Sequence, residues 1–188
     1  PPTSAGVIRQ YLELGYTHIL PRGADHILFV LGVFLLSRRW KPILLPVPAF
    51  PLAHTSTLGL TVYGIVSLRP TIVEPLIALS IVYVAVENLF SSRLTPWRVA
   101  LVFGFGLIHG MGFAGVLAQL GLPRAQFLPA LISFNVGVEL GQLSVILAAF
   151  ALIARPFGSK PWYHQRVVVP LSIAIAAVGL FWAGQRLS

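Results

Sequence analysis

The chain has 188 residues, 56% hydrophobic and 10% charged, with a formal net charge of +8. Soluble domains carry about 25% charged residues, so this composition and a mean hydropathy of +0.85 exclude an ordinary water-soluble fold. The basic residues are scattered between apolar runs rather than gathered into a stripe, which argues against nucleic acid as a partner and assigns them to lipid headgroups and topology.

The expected architecture is all-α: a polytopic membrane helical bundle, 1–188 forming a single transmembrane domain. The chain opens Pro1-Pro2 without an initiator Met, so a signal peptide or other upstream segment is expected ahead of it. Residues 1–22 read as an extracytoplasmic or interfacial segment, with a short amphipathic helix between Ser4 and Tyr16 lying at the membrane surface. Polar punctuation then separates about six apolar spans, 24–37, 46–68, 71–90, 97–120, 127–154 and 167–185, each judged against the roughly 20 residues a helix needs to cross a bilayer. Pro46, Pro48 and Pro51 predict an irregular start to the second span. In the fourth, Gly104, Gly106, Gly110, Gly112 and Gly115 surround His109 and predict close helix packing that fixes its position.

Basic residues of the loops give the orientation. The loops after the first, third and fifth spans hold Arg38, Arg39, Lys41, Arg93, Arg98, Arg155, Lys160 and Arg166. The opposite side holds Arg9, Arg22, Arg69, Arg124 and Arg186. The positive-inside rule puts both termini outside the cytoplasm of a bacterial inner membrane.

Ionisable residues in and beside the spans carry the functional signal. They are His18, Asp25, His26, His54, Glu74, Glu87, His109 and Glu139; His164 falls in a loop. A charge at the bilayer centre costs at least about 2.5 kcal/mol, so these groups are expected to face one another inside the bundle. His109 and Glu139 fall near mid-membrane, Asp25 and His26 at the outer face, and Glu87 toward the cytoplasmic end. Helical spacing places Asn135, Glu139 and Gln142 on one stripe, Ser80, Tyr83 and Glu87 on another, and His54 on a face with Leu58 and Thr61. Glu74 falls on a different side of its helix from Glu87. Asn88 suits a helix–helix hydrogen bond. Without cysteine, and with Met111 the only methionine, a metal here must be held by imidazole, carboxylate, amide or backbone oxygen. That donor set suits Zn, Ni, Fe or Mn, and affinity order alone does not choose among them; the same residues suit a proton relay. The candidate metal ligands are His26, Asp25, His54, His109, Glu139, Glu87 and His18, with Asn135, Gln142 and Tyr83 in support. Each also has a structural reading, as a helix cap for Asp25 or a packing hydrogen bond for the others.

The segments GADHILFVLG (23–32), AHTSTLGL (53–60), VEPLIALSIVYVAVEN (73–88), FGLIHGMGFA (105–114) and FNVGVELGQL (134–143) resemble the HupE/UreJ membrane proteins over nearly the whole chain. The resemblance implies a permease-like accessory role in nickel supply, with hydrogenase or urease maturation proteins as partners. Two departures mark a divergent branch. Six residues separate His18 from Asp25-His26 where the family signature has five, and Ile108-His109-Gly110 keeps only the His-Gly of the second signature.

Three functions remain open. One is a divalent-cation permease with entry at Asp25 and His26, passage by His54, His109 and Glu139, and exit at Glu87. A second is an intramembrane metalloenzyme with His26, His54 and His109 as ligands and Glu139 or Glu87 as base; no His-Glu-x-x-His or Gly-x-Ser-x-Gly pattern supports it. The third is a structural subunit of a membrane complex.

Overall fold

A computed structural model describes residues 3–36, 46–91, 97–119 and 126–188. Among these, seven helices and no strands are found: α1 (Ser4–Ile19), α2 (Ala24–Leu35), α3 (Pro46–Val62), α4 (Pro70–Phe90), α5 (Trp97–Gln119), α6 (Phe127–Phe157) and α7 (His164–Leu187). The protein is an all-helical membrane protein. Arg38, Arg39, Lys41, Arg93 and Arg124, which enter the charge count above, lie outside the described residues.

Among the described residues, fewer helices pass as long and apolar enough to cross than the expected six. Among the described residues α4, α6 and α7 are long and apolar enough to span, and the bent pair α1–α2 makes a fourth if taken as one span. For α2 the reason is length. With 12 residues, α2 is about 18 Å long, well short of a hydrocarbon core of about 30 Å. Next, α3 has 17 residues and carries His54-Thr55-Ser56-Thr57 in its middle. The 23 residues of α5 are long enough to cross, and Trp97–Gly112 is its apolar part among the described residues.

Breaker residues explain the bent pair. Pro21 and Gly23 interrupt the helix between α1 and α2, and the two axes meet at 67°. At Gly23 a side chain would collide with the His18 carbonyl, so only glycine lets the chain turn this closely. Thr3 caps α1, its Oγ1 accepting from the Gly6 amide at 3.3 Å. The sequence placed this helix at the interface; in the structure its Val7, Tyr11, Gly15 and Ile19 face is buried, packed lengthwise against α6.

Three tight helix pairs build the bundle: α1 with α6, α3 with α5, and α4 with α7. Glycines set two of these seams. Side chains at Gly15 and Gly137 would strike the Phe134 and Leu12 carbonyls, so α1 and α6 lie backbone to backbone. A side chain at Gly110 would strike the His54 carbonyl and Thr57 Oγ1, and Thr57 Oγ1 donates across that seam to Leu107 O at 2.7 Å. The expectation that glycine packing fixes His109 agrees with this geometry. Between the pairs runs α2, touching α1, α4, α6 and α7.

A polar clamp holds α2 at the end remote from His26. The carbonyl of Gly32 accepts from Asn88 Nδ2 at 2.8 Å and from Arg98 Nη2 at 3.1 Å. Arg98 Nη2 also donates to Asn88 Oδ1 at 2.8 Å, and its Nε lies 3.6 Å from Glu87 Oε2. The Asn88 carbonyl accepts from His164 Nε2 at 3.1 Å. Arg98 therefore differs from its reading as a loop charge: it is 1% exposed, with its Nη2 hydrogen-bonded within this clamp. His164 likewise belongs to the start of α7, where His164–Val168 forms a π-helical turn matching the one at Phe150–Ala154 of α6.

Candidate metal centre

The bend carries the site. His18 lies in the last turn of α1 and His26 in the first turn of α2, so folding the two helices together brings their rings to 4.6 Å between centroids. His54 of α3 stands 6.0 Å from each of them. One ligand nitrogen from each of His18, His26 and His54 lies within 4.8 Å of the others. Metal–imidazole bonds are about 2.0–2.1 Å long, so an ion seated between three such nitrogens would draw the rings together by roughly an ångström.

Hydrogen bonding prepares these rings as ligands. His26 Nδ1 donates to Asp25 Oδ1 at 3.0 Å, and the His26 amide donates to the same oxygen at 2.9 Å. With its proton on Nδ1, His26 keeps the Nε2 lone pair for a metal, the carboxylate–histidine arrangement of many metal sites. His109 repeats this with a backbone partner: Nδ1 donates to Phe105 O at 2.8 Å, leaving Nε2 free to accept. His109 stands outside the group of three, its ring 5.0 Å from that of His26.

Burial without partners completes the case. His54 is fully buried, and neither of its ring nitrogens has a hydrogen-bond partner. The Nε2 atoms of His26 and His109 are buried and unpartnered as well. An unsatisfied buried polar group costs about 1–3 kcal/mol, and native structures rarely tolerate several in one place. A cation accepting their lone pairs removes that cost, so the residues fit a divalent metal. Apolar rings wall the cluster: Phe50 and Phe134 stack on either side of His54 at 6.0 and 6.2 Å.

A cavity of about 280 Å³ reaches the cluster from one side, lined by His18, Asp25, His26 and His109 together with Glu74, Ile77, Gly112 and Arg186. Asp25 is partly exposed there, with 24% of its side chain accessible. Replacing Asp25 with asparagine is expected to weaken metal affinity about 10- to 100-fold, the usual effect of losing a carboxylate that orients a ligating histidine. Isothermal titration of the purified protein with nickel measures it, and unchanged affinity would show that His26 needs no such orientation.

The structure brings together five of the seven candidate ligands and leaves two apart. His18, His26 and His54 converge, with Asp25 and His109 beside them. Glu87 lies in the clamp with Arg98, and Glu139 is partly exposed on α6; neither belongs to the group. Asn135 Nδ2 donates back to its own helix at Leu131 O, 2.6 Å. Tyr83 is 45% exposed and packs on Phe105. Gln142 is buried without a hydrogen-bond partner. Sequence reasoning missed Phe50 and Phe134 as the wall and Arg186 with Glu74 at the cavity. The available signal was positional: the start of α4 and the end of α7 fall on one membrane face.

The fold and the site define a class, that of helical membrane proteins with a histidine cluster built into the break of a bent helix pair. Within it, the family model described as HupE / UreJ protein matches residues 3–186, and the chain belongs to the HupE/UreJ family. No curated protein and no solved structure gives a significant match.

Proposed function

We propose that the protein is a permease for a divalent transition metal, nickel or zinc, in a bacterial inner membrane, with both termini outside the cytoplasm. One observation carries this reading: ligand nitrogens of three helices converge within 4.8 Å at the break of a bent helix pair. Transporters hold their substrates at such discontinuities, where irregular backbone is tolerated because it lines a cavity. Asp25 receives the cation and orients His26, His18 and His54 bind it with His26, and His109 offers a neighbouring imidazole for transfer. Glu139 and Glu87 are assigned no part in binding. The family resemblance favours nickel and, as partners, the proteins that mature hydrogenase or urease.

The second reading, an intramembrane metalloenzyme, draws on the same observation, because three protein ligands leave a position for an activated water. It lacks a base. Neither Glu139 nor Glu87 belongs to the histidine group, and Asp25 is engaged by His26.

Purified protein in liposomes loaded with a metal-sensitive dye separates the two. The permease reading expects nickel or zinc influx into wild-type vesicles and none when His26 is alanine. Tight metal binding by wild type without any influx would overturn it.

A further inference from the structure

Arg186 is an unexpected residue to find lining the approach to a cation site. Its Nη1 donates to the Glu74 carbonyl at 2.9 Å, and its guanidinium lies over the Trp182 ring, 5.7 Å from the centroid. Both contacts hold the group in place, and neither neutralises it; among the described residues no carboxylate forms an ion pair with it. Glu74 lines the same cavity but meets Arg186 through its backbone oxygen. Asp25 and Glu74 in the same lining attract a cation, whereas Arg186 adds a fixed positive charge on one wall that favours an anionic group there. The cavity is also large for a bare ion. At about 280 Å³ it approaches the lower end of small-molecule sites, roughly 300 Å³, whereas a water occupies about 30 Å³.

Resting on the permease reading above, we propose that the metal enters this cavity as a complex with a small carboxylate-bearing chelator, whose carboxylate Arg186 receives. The chemistry is complementary from end to end. The guanidinium fork pairs with carboxylates through two parallel hydrogen bonds, and holding it against Trp182 and the Glu74 carbonyl limits the entropy lost on pairing. At the other end, three imidazoles leave part of a divalent ion's coordination shell open to the chelator's own donors. The chelate carries less positive charge than the bare ion, which lowers its repulsion from Arg186.

Histidine and histamine form the test pair, since both chelate nickel through an amine and an imidazole and only histidine has a carboxylate. Binding of nickel–histidine and nickel–histamine complexes to the purified full chain is measured at matched free nickel. Wild type is expected to bind the histidine complex about tenfold or more tightly, the effect of one charge-assisted contact. Arg186→Gln is expected to bring the ratio close to one and Arg186→Lys to leave it intermediate, because lysine keeps the charge without the fork. Equal binding of the two complexes by wild type, or a ratio unchanged in Arg186→Gln, would overturn the proposal. Free nickel titrated into wild type separately reports on the histidine site: if it fails to bind, the permease reading itself falls; if it binds without the preference, only the chelate proposal does.

Discussion

Alanine at His54 is expected to strip the protein of bound metal while leaving it folded and in the membrane. His54 is the deepest member of the cluster, at 0% exposure, and the one member whose two ring nitrogens both lack a hydrogen-bond partner. Removing it takes away one of the three converging nitrogens and breaks no hydrogen bond of the fold. It leaves a space between Phe50 and Phe134, and a cavity of that kind costs about 2–5 kcal/mol when the walls do not collapse. In the metal-free protein that cost stands against the relief of two buried unsatisfied atoms, about 1–3 kcal/mol each, so the net change in stability of the metal-free fold is expected to be small. The metal effect is large, because two remaining imidazoles make an incomplete site. Elemental analysis of gently purified protein checks the outcome: near-stoichiometric nickel or zinc in wild type, little in His54→Ala, and wild-type metal content in Glu139→Gln. Full metal content in His54→Ala would remove His54 from the site.

The opposite pattern is expected at Arg98. Its substitution by alanine should cost about 3–5 kcal/mol, the usual result of breaking a buried charged pair by removing one partner, without touching the histidines. The guanidinium serves the Gly32 carbonyl, Asn88 Oδ1 and Glu87 at once. Without it Asn88 loses its donor and Glu87 its counter-charge. Gly32 lies six residues, about 9 Å, along α2 from His26, so the damage falls on the position of α2 rather than on ligand chemistry. Denaturant titration in mixed micelles measures the loss, and Glu87→Gln should recover part of it in the Arg98→Ala background by removing the orphaned charge. A stability equal to wild type would mean that the clamp contributes nothing net, as some buried ion pairs do.

The sequence exposed the ingredients of the site more readily than their arrangement. His18, His26, His54 and His109 stood out because ionisable groups are costly in apolar surroundings, and Asp25 because it adjoins His26. Helical spacing could say that Asn135, Glu139 and Gln142 share a stripe of α6, but not which neighbour that stripe meets. The face of α6 that reaches the cluster is the one bearing Phe134, whose ring lies 5.7 Å from His18. Glu87 misled for a similar reason: its carboxylate reads as an exit ligand until Arg98, assigned to a loop, turns out to be buried beside it. The expected count of about six spans is somewhat more than the described residues show, because apolar length was read without the bend at Pro21 and Gly23 and without the short reach of α2. The α1–α6 seam was the least legible part. Gly15 and Gly137 are separated by most of the chain, and nothing local announces that two glycines will touch.

That seam has a consequence for how the histidines are held. His18 is borne by the α1–α6 pair, His54 by the α3–α5 pair, and His26 by a helix fastened to α4. No two of the three converging imidazoles sit on the same helix. A captured ion would therefore act as a keystone among three helices that otherwise meet through apolar packing, and its release would loosen their mutual fit without breaking a hydrogen bond inside any of them.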